Sequence, residues 1–189
     1  MNLNKILFAM IPLLAVFAVS ACDFGDKNNE NLTPEQKTAI EKDFANVFKV
    51  KISDSETWIY YLGADQKRYI FPTEGTYQSW FGEREVTAEK TLEEVGEITI
   101  GGNVTYKPGT RLITTESVAE IFYIAPGGIL RPINATLAEK LYGVDWKEMI
   151  DDLENHYFTN YKIGPALVEE ADVPAVNDDW SINDDKNLF

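Results

Sequence analysis

The chain has 189 residues and carries 31 acidic against 17 basic side chains, which gives a formal net charge of −14. This excess of negative charge repels nucleic acid and anionic lipid headgroups, so we expect neither as a ligand. A single histidine, His156, and a single cysteine, Cys22, exclude a histidine-based metal cluster and an internal disulfide. A folded domain of this chain must therefore be stabilised by a hydrophobic core.

The first 21 residues are predicted to be a secretion signal. Lys5 is the single charged residue before Cys22, and the residues between them are almost all apolar. Such a segment is too short for a committed membrane span and is typical of a signal peptide. Residues 19–22, Val-Ser-Ala-Cys, resemble a bacterial lipobox, which predicts cleavage before Cys22 and lipidation of that cysteine. The alternative is an ordinary secreted protein in which Cys22 is incidental.

A lipidated Cys22 would anchor the protein to the outer face of the cytoplasmic membrane, within the cell envelope. Attachment to a membrane surface is durable when more than one acyl chain is present. Asp23 resembles the residue that retains lipoproteins at the inner membrane of hosts with two membranes. Residues 22–32 are polar, without an apolar period, and predict a flexible tether before a globular domain at residues 33–168.

An amphipathic helix is predicted at the start of this domain. Thr33 can cap it, Pro34 fits the first helical position, and Gln36 lies where a capping box requires it. We expect the apolar face of the helix to pack on the domain rather than to bind a partner. Its apolar positions are Ile40, Phe44, Val47 and Phe48.

Residues 58–82 are predicted to form a β-hairpin followed by a short helix. Aromatic and β-branched residues favour a strand at 58–62, and turn residues at 63–66 lead to a second strand at 68–71. Thr73 is a suitable cap for the helix. The apolar residues of that helix are Tyr77, Trp80 and Phe81.

Residues 121–143 repeat this arrangement more faintly. Tyr61 corresponds to Tyr123, 62 positions further on, and Gly82 corresponds to Gly143, 61 positions further on. Two further correspondences are Arg68 with Arg131 and Thr76 with Thr136. The sequence therefore predicts an α+β domain of two related β-hairpin-plus-helix units, preceded by the N-terminal helix.

The segment between the two units is rich in glycine. Gly101-Gly102-Asn103 and Pro108-Gly109 predict tight turns, with short strands on either side of the second turn. A phosphate-binding loop is excluded because the spacing fits neither the P-loop nor the dinucleotide fingerprint.

These motifs together resemble a family of uncharacterised repeats found in exported bacterial proteins. The resemblance spans residues 58–164, and its motifs are specific as a set. It implies a surface location and a modular architecture, and it implies no activity. Gln66 departs from the pattern, because the family usually has glycine there. The matching motifs are Tyr60-Tyr61, Asp65-Gln66, Lys67-Arg68-Tyr69, Phe71-Pro72, Thr76-Tyr77-Gln78-Ser79-Trp80, residues 101–112, residues 127–131 and residues 141–146.

Few residues offer catalytic chemistry. No serine lies in a nucleophile-elbow motif, and Cys22 would be consumed by the lipid. His156 lies beside aromatic residues, which is more typical of a structural histidine. Asp151-Asp152 or Glu93-Glu94 would suit a carboxylate-based hydrolase, although adjacent acids on exposed helices are usually only solvated.

Aromatic residues are the main indication of a binding surface. An exposed row of tyrosine and tryptophan beside an arginine would suit a glycan or a peptide, because rings stack and guanidinium groups bind carboxylates. The alternative, which is commoner for any single ring, is that these residues form the core. The candidate ligand-binding residues are Tyr61, Arg68, Tyr69, Trp80, Tyr106 and Arg131.

Residues 169–189 are predicted to be a solvated, flexible acidic tail, because seven acidic residues there face a single lysine. Asn177-Asp178-Asp179 and Asn183-Asp184-Asp185 invite a calcium interpretation. Neither an EF-hand glycine nor a terminal glutamate accompanies them, so we predict no metal site and no cofactor.

These features predict a non-enzymatic, membrane-anchored envelope lipoprotein that acts as a surface binding module. Its expected partners are the membrane, through the N-terminal lipid, and either cell-wall glycan or another envelope protein. The alternatives are a carboxylate-based hydrolase of the envelope and a structural spacer. An exposed aromatic shelf would favour binding, whereas a deep cleft with two facing carboxylates would favour the enzyme.

Overall fold

Two β-sheets with helices packed against them form the protein, which has the α+β architecture that the sequence predicts. The structure, a computed structural model, describes residues 32–176 and 180–186. The predicted signal peptide at residues 1–21, the lipidated Cys22 and the tether up to residue 31 lie outside the described residues.

The first sheet is a hairpin that is extended on both sides. Its strands, which follow one another in space as they do along the chain, are β1 (Val47–Lys51), β2 (Thr57–Leu62), β3 (Arg68–Ile70) and β4 (Ile100–Asn103). β1, β2 and β3 pair antiparallel, whereas β4 pairs with β3 in parallel. Beyond β1, Glu89 pairs in parallel with Lys49 and adds a short segment to that edge.

The second sheet also has an antiparallel centre with parallel strands outside it. Its strands are β5 (Leu112–Thr115), β6 (Val118–Ala125), β7 (Ile129–Pro132), β8 (Ile150–Asp152) and β9 (Lys162–Ile163). Their spatial order is β8-β5-β6-β7-β9, with β8 and β9 each parallel to its neighbour. Gly127 and Gly128 make the turn between β6 and β7 with φ of 80° and 66°, a backbone region that favours glycine.

Five of the six α-helices in the described residues follow a residue whose side chain accepts a free backbone N–H, and α5 is the exception. They are α1 (Pro34–Phe44), α2 (Glu74–Phe81), α3 (Leu92–Gly96), α4 (Ala135–Tyr142), α5 (Asn155–Phe158) and α6 (Ile182–Asp185), with 3₁₀ helices at Trp146–Met149 and Glu170–Asp172. At α1, the Thr33 hydroxyl accepts the Gln36 N–H at 3.2 Å, and the Gln36 carbonyl oxygen accepts the Thr33 N–H at 2.9 Å. Thr73 and Asn134 cap α2 and α4.

Residues 32–176 and 180–186 contain no helix with both the length and the apolar composition that crossing a membrane requires.

The first sheet is covered on both faces, and this buries neighbouring rings that point in opposite directions. Tyr60 packs with Val95 of α3 on one face, and Tyr61 packs with Tyr77 and Phe81 of α2 on the other. Tyr60 is 8% exposed and Tyr61 is 1% exposed. Because alternate residues of a strand face opposite sides, both rings are buried only where each face has its own helix.

The prediction of a solvated C-terminal tail is wrong for residues 180–186. Ile182 is fully buried in the same cluster as Tyr61 and Tyr69, and Asp185 is 1% exposed. The segment is acidic on average, but Trp180 and Ile182 supply apolar contacts, and backbone N–H groups of the second sheet bond the Asp185 carboxylate. The average composition of residues 180–186 therefore does not predict their burial. Residues 177–179 and 187–189 lie outside the described residues.

Candidate functional site

Of the two interpretations of the aromatic residues, the exposed ligand-binding row is wrong, because the four aromatic candidates are buried. Tyr61 and Tyr69 are 1% and 0% exposed, and Trp80 and Tyr106 are each 4% exposed. Rings buried to this degree cannot stack on a sugar. They form the core of a domain without disulfides, which is the alternative that the sequence left open.

The polar ends of these rings are used inside the protein. The Tyr61 hydroxyl donates to the Asp43 carboxylate at 3.0 Å, and burial together with this charge raises the pKa of Tyr61. The Trp80 indole N–H donates to the Thr105 carbonyl oxygen at 2.8 Å. These bonds satisfy polar atoms that would otherwise be buried without partners. In the same way, the Tyr69 hydroxyl donates to Asp65 at 2.6 Å.

The two candidate arginines hold loops. Arg68 donates to the carbonyl oxygen of Val95, at the end of α3. Arg131 donates to the carbonyl oxygens of Pro165 and Asp172 at 2.8 and 2.7 Å. Both guanidinium groups are therefore engaged with backbone, and the prediction that they bind a ligand gains no support from their contacts.

A cleft with a volume of about 600 Å³ lies between the N-terminal end of α2 and strand β8 of the second sheet. Of the six candidate ligand-binding residues, Tyr106 alone lines it, together with Asp151 and Asp152, the candidate hydrolytic acids. Its polar side chains come from Thr73, Glu74, Gln78, Ser79, Tyr106, Thr110, Arg111, Asp151, Asp152 and Glu154. The cleft is thus a predominantly polar site between α2, the segment that precedes β5, and strand β8.

Gly75 allows the two sides of the cleft to approach each other. A Cβ atom at this position would lie 2.2 Å from the Tyr106 hydroxyl oxygen and 3.4 Å from an Asp151 carboxylate oxygen. Real Cβ atoms do not approach other atoms as closely as 2.2 Å, so any side chain here would displace Tyr106. Gly75 directly precedes the motif at residues 76–80, and the role of this glycine could not be predicted from the sequence.

An ion pair between Arg111 and Asp151 lines the cleft. The Arg111 Nε donates to Asp151 at 3.1 Å, and a terminal guanidinium nitrogen donates to the other carboxylate oxygen. The Tyr106 hydroxyl contacts Asp151 and Thr73. Burial first, and the Asp151 charge second, raise the pKa of Tyr106, so its hydroxyl remains protonated at neutral pH.

Pairing of strands brings Arg111 and Asp151 together. The two residues are 40 positions apart, and Arg111 directly precedes β5, whose Ile113 is the parallel partner of Asp151 in β8. Parallel strands that are distant in sequence leave no local signal of their pairing. Sequence analysis therefore named Asp151-Asp152 as candidate hydrolytic acids without identifying the arginine that binds Asp151.

The rim of the cleft carries groups that accept and donate hydrogen bonds. Glu74, Asp152 and Glu154 are exposed carboxylates, and Gln78 donates to Glu74 at 2.9 Å. Such groups bind hydroxyl or amino groups of a ligand, whereas Arg111 can bind an acceptor. The arrangement suits a polar ligand without negative charge.

His156 and the acidic motif of α6 form no metal site. Among the described residues, no group of three or more His, Cys, Asp or Glu side chains is arranged to hold a metal ion. His156 is exposed, with its Nδ1 3.5 Å from a Glu154 carboxylate oxygen. Asp185 instead accepts the N–H groups of Gly127 and Gly128 at 2.6 and 3.1 Å.

Comparison with known proteins identifies no relative: no family model, no curated protein and no solved structure matches the chain. The resemblance of residues 58–164 to exported bacterial repeats therefore remains a prediction.

Proposed function

We propose that this chain is a non-enzymatic envelope lipoprotein whose cleft binds cell-wall glycan. The observation that carries the proposal is the polar cleft of about 600 Å³ between α2 and β8. Its volume lies within the range of small-ligand sites, about 300–1,000 Å³. Lipidated Cys22 would hold the protein on the outer face of the cytoplasmic membrane, where cell-wall glycan lies within reach.

The charge of the cleft favours a neutral, hydroxyl-rich ligand. Asp151 is neutralised by Arg111, which leaves the carboxylates of Glu74, Asp152 and Glu154 to accept hydrogen bonds from hydroxyl groups. A phosphate or carboxylate ligand would be repelled by these groups and by the net charge of −14. Glycan hydroxyl groups donate hydrogen bonds to these carboxylates and carry no negative charge.

A hydrolase is supported less well by these contacts. A catalytic pair needs one carboxyl group that donates a proton and a second that acts as base or nucleophile. Asp151 is bound by Arg111 through two hydrogen bonds, which occupy both of its carboxylate oxygens. Binding without hydrolysis is the simpler use of the site.

We also propose that the two sheets belong to two copies of one repeated unit, preceded by α1 as an added N-terminal helix. In each unit, two antiparallel pairings are flanked by parallel ones, and Glu89 beside β1 corresponds to Asp152 in β8, 63 positions further on. The strand register makes Tyr69, rather than Arg68, the counterpart of Arg131, because these two residues lie opposite Tyr61 and Tyr123. Such a repeat agrees with the modular architecture that the family resemblance implies.

Co-sedimentation with purified cell-wall sacculi tests the glycan proposal. We expect residues 23–189 to pellet saturably, and we expect Asp152→Asn/Glu154→Gln to weaken pelleting about tenfold or more through lost charged hydrogen bonds. The matched control, Asp145→Asn/Glu148→Gln, removes the same charges from exposed positions outside the cleft. Absence of pelleting above an inert protein would reject the proposal and direct attention to envelope proteins, through crosslinking on intact cells.

A further inference from the structure

We infer that residues 180–186 act as an intramolecular clasp, which docks against both sheets and holds them in the arrangement that forms the cleft. The inference goes beyond the proposed function, because it concerns the shape of the cleft whatever ligand the cleft binds. Three sets of contacts hold the clasp in place: those at its start, those at its end, and those that join it to the cleft.

The start of the clasp is bound to α1 and to the first sheet. The backbone N–H of Ile182 and the hydroxyl of Ser181 both donate to Asp43, at 2.9 and 3.3 Å. The Asn183 side chain accepts the N–H of Ala64 at 2.9 Å and donates to the Tyr61 hydroxyl at 2.5 Å. Every one of these bonds joins the clasp to residues more than 100 positions away in the chain.

The end of the clasp is bound to the second sheet. The Asp185 carboxylate accepts the N–H groups of Gly127 and Gly128, which form the turn of the β6–β7 hairpin. The Asp185 carbonyl oxygen accepts the Thr105 hydroxyl at 2.6 Å, and Lys186 pairs antiparallel with Val104. Seven residues therefore bind α1, both sheets and the segment that connects the sheets.

Ile182 provides the apolar part of the docking. It is 0% exposed and lies in the cluster that contains Tyr61, Tyr69 and Val104. Burial of one aliphatic side chain stabilises docking but does not fix the orientation of the segment, because the hydrophobic effect is non-directional. The hydrogen bonds at both ends fix its position. Together they explain why an acidic segment is held in place.

The connecting residues Thr105 and Tyr106 link the clasp to the cleft. The Thr105 hydroxyl donates to the clasp, and its carbonyl oxygen accepts the indole N–H of Trp80 in α2. Tyr106 follows directly and lines the cleft, where its hydroxyl oxygen faces Gly75. A change in the position of Thr105 must therefore move both α2 and the Tyr106 ring, which set the width of the cleft.

Hydrogen–deuterium exchange of residues 23–189, which include every described residue, tests the clasp without any ligand. The variant Asp185→Ala removes the acceptor of two backbone N–H groups, and the control Asp145→Ala removes a carboxylate from an exposed position. We expect Asp185→Ala to accelerate exchange about tenfold or more at residues 180–186. Residues 104–107 and 73–79 should accelerate as well, while residues 47–62 and the control remain unchanged.

A locked form provides a second test if Asp185→Ala fails to fold. Val104 and Lys186 are antiparallel bridge partners, whose Cβ atoms are typically about 4.5–5.5 Å apart, so Val104→Cys/Lys186→Cys needs only a small shift to form a disulfide. Residues 23–189 contain no other cysteine. We expect oxidation to slow exchange at residues 104–107 and 73–79, and reduction to reverse this.

Two outcomes would overturn the inference. If residues 180–186 of the unmodified chain exchange as fast as an unstructured peptide, no clasp exists. If releasing or locking the clasp changes exchange at residues 180–186 but leaves residues 104–107 and 73–79 unaffected, the clasp does not shape the cleft. Neither result depends on glycan binding, so failure of the clasp and failure of the proposed function are distinguishable.

Discussion

The Asp43 carboxylate accepts the backbone N–H of Ile182 at 2.9 Å, although the two residues are 139 positions apart in the chain. Asp43 is 3% exposed and also accepts the Tyr61 hydroxyl at 3.0 Å. A buried carboxylate is tolerated only when donors surround it. The end of α1 and the C-terminal clasp therefore depend on each other, and the strength of this contact can be measured.

Truncation of Ile182 should destabilise the whole fold. Because Ile182 is fully buried, we expect Ile182→Ala to lower the free energy of unfolding by about 2–5 kcal/mol. The matched control is Ile100→Ala, since Ile100 is 70% exposed and its truncation should change stability by about 0.5 kcal/mol or less. Urea unfolding followed by tryptophan fluorescence measures both. Equal effects of the two substitutions would show that residues 180–186 do not pack into the core.

Stability should fall as the pH rises through neutrality. Burial, partly offset by the Gly127 and Gly128 N–H groups, raises the pKa of Asp185 to about 7. Burial also raises the pKa of Asp43. An unfolded aspartate has a pKa of about 3.9. The folded state therefore binds protons more tightly than the unfolded state. The stability that this provides is complete below about pH 4 and is lost as the pH approaches and passes about 7.

Asp185→Asn isolates this effect from the general repulsion of an acidic protein. The groups that face Asp185 are the two glycine N–H groups, the Trp180 indole N–H, the charged Asp184 and the uncharged Tyr161 hydroxyl. Urea midpoints at pH 5, 6, 7 and 8 should fall less steeply in Asp185→Asn than in the unmodified chain. The exposed control Asp145→Asn should retain the full decline. Parallel pH profiles for all three proteins would show that Asp185 does not cause the decline in stability with pH.

Gly75→Ala should disturb the cleft. The added Cβ would lie 2.2 Å from the Tyr106 hydroxyl oxygen, so we expect a loss of about 1–3 kcal/mol of stability as the ring is displaced. Gly96→Ala is the matched control, because a Cβ there has no atom within 4 Å and alanine favours a helix. Thermal unfolding and tyrosine fluorescence report the two effects. Similar stability of the two variants would contradict the close approach of Tyr106 to α2.

Local features of this fold could be predicted from the sequence, whereas contacts between distant segments could not. The caps at Thr33 and Thr73 are set by residues within one helical turn, and both were predicted from the sequence. Alternation in a strand cannot reveal that both faces are covered, so the buried state of Tyr61 and Tyr69 remained open.

The candidate site was the part of the structure that the sequence predicted least. It depends on Arg111 meeting Asp151 across a parallel pairing and on Gly75 accepting the Tyr106 ring, and neither contact leaves a pattern along the chain. Ile182 was missed for a different reason. A single buried isoleucine does not alter the average composition of an acidic segment, although it decides where that segment lies.

Substitution of Gly82 or of Gly143 should lower the stability of the protein equally if the two units are copies. Each directly follows an eight-residue helix and has a positive φ, 62° and 83°, with no atom within 4 Å of an added Cβ. Alanine at either position is therefore strained by its backbone alone, at about 1–3 kcal/mol. Urea unfolding of Gly82→Ala and Gly143→Ala should give losses that agree within about 0.5 kcal/mol, a margin typical of neutral substitutions. A large loss at one glycine and none at the other would mean that the two helix ends have different roles, and the proposed repeat would lose its clearest structural correspondence.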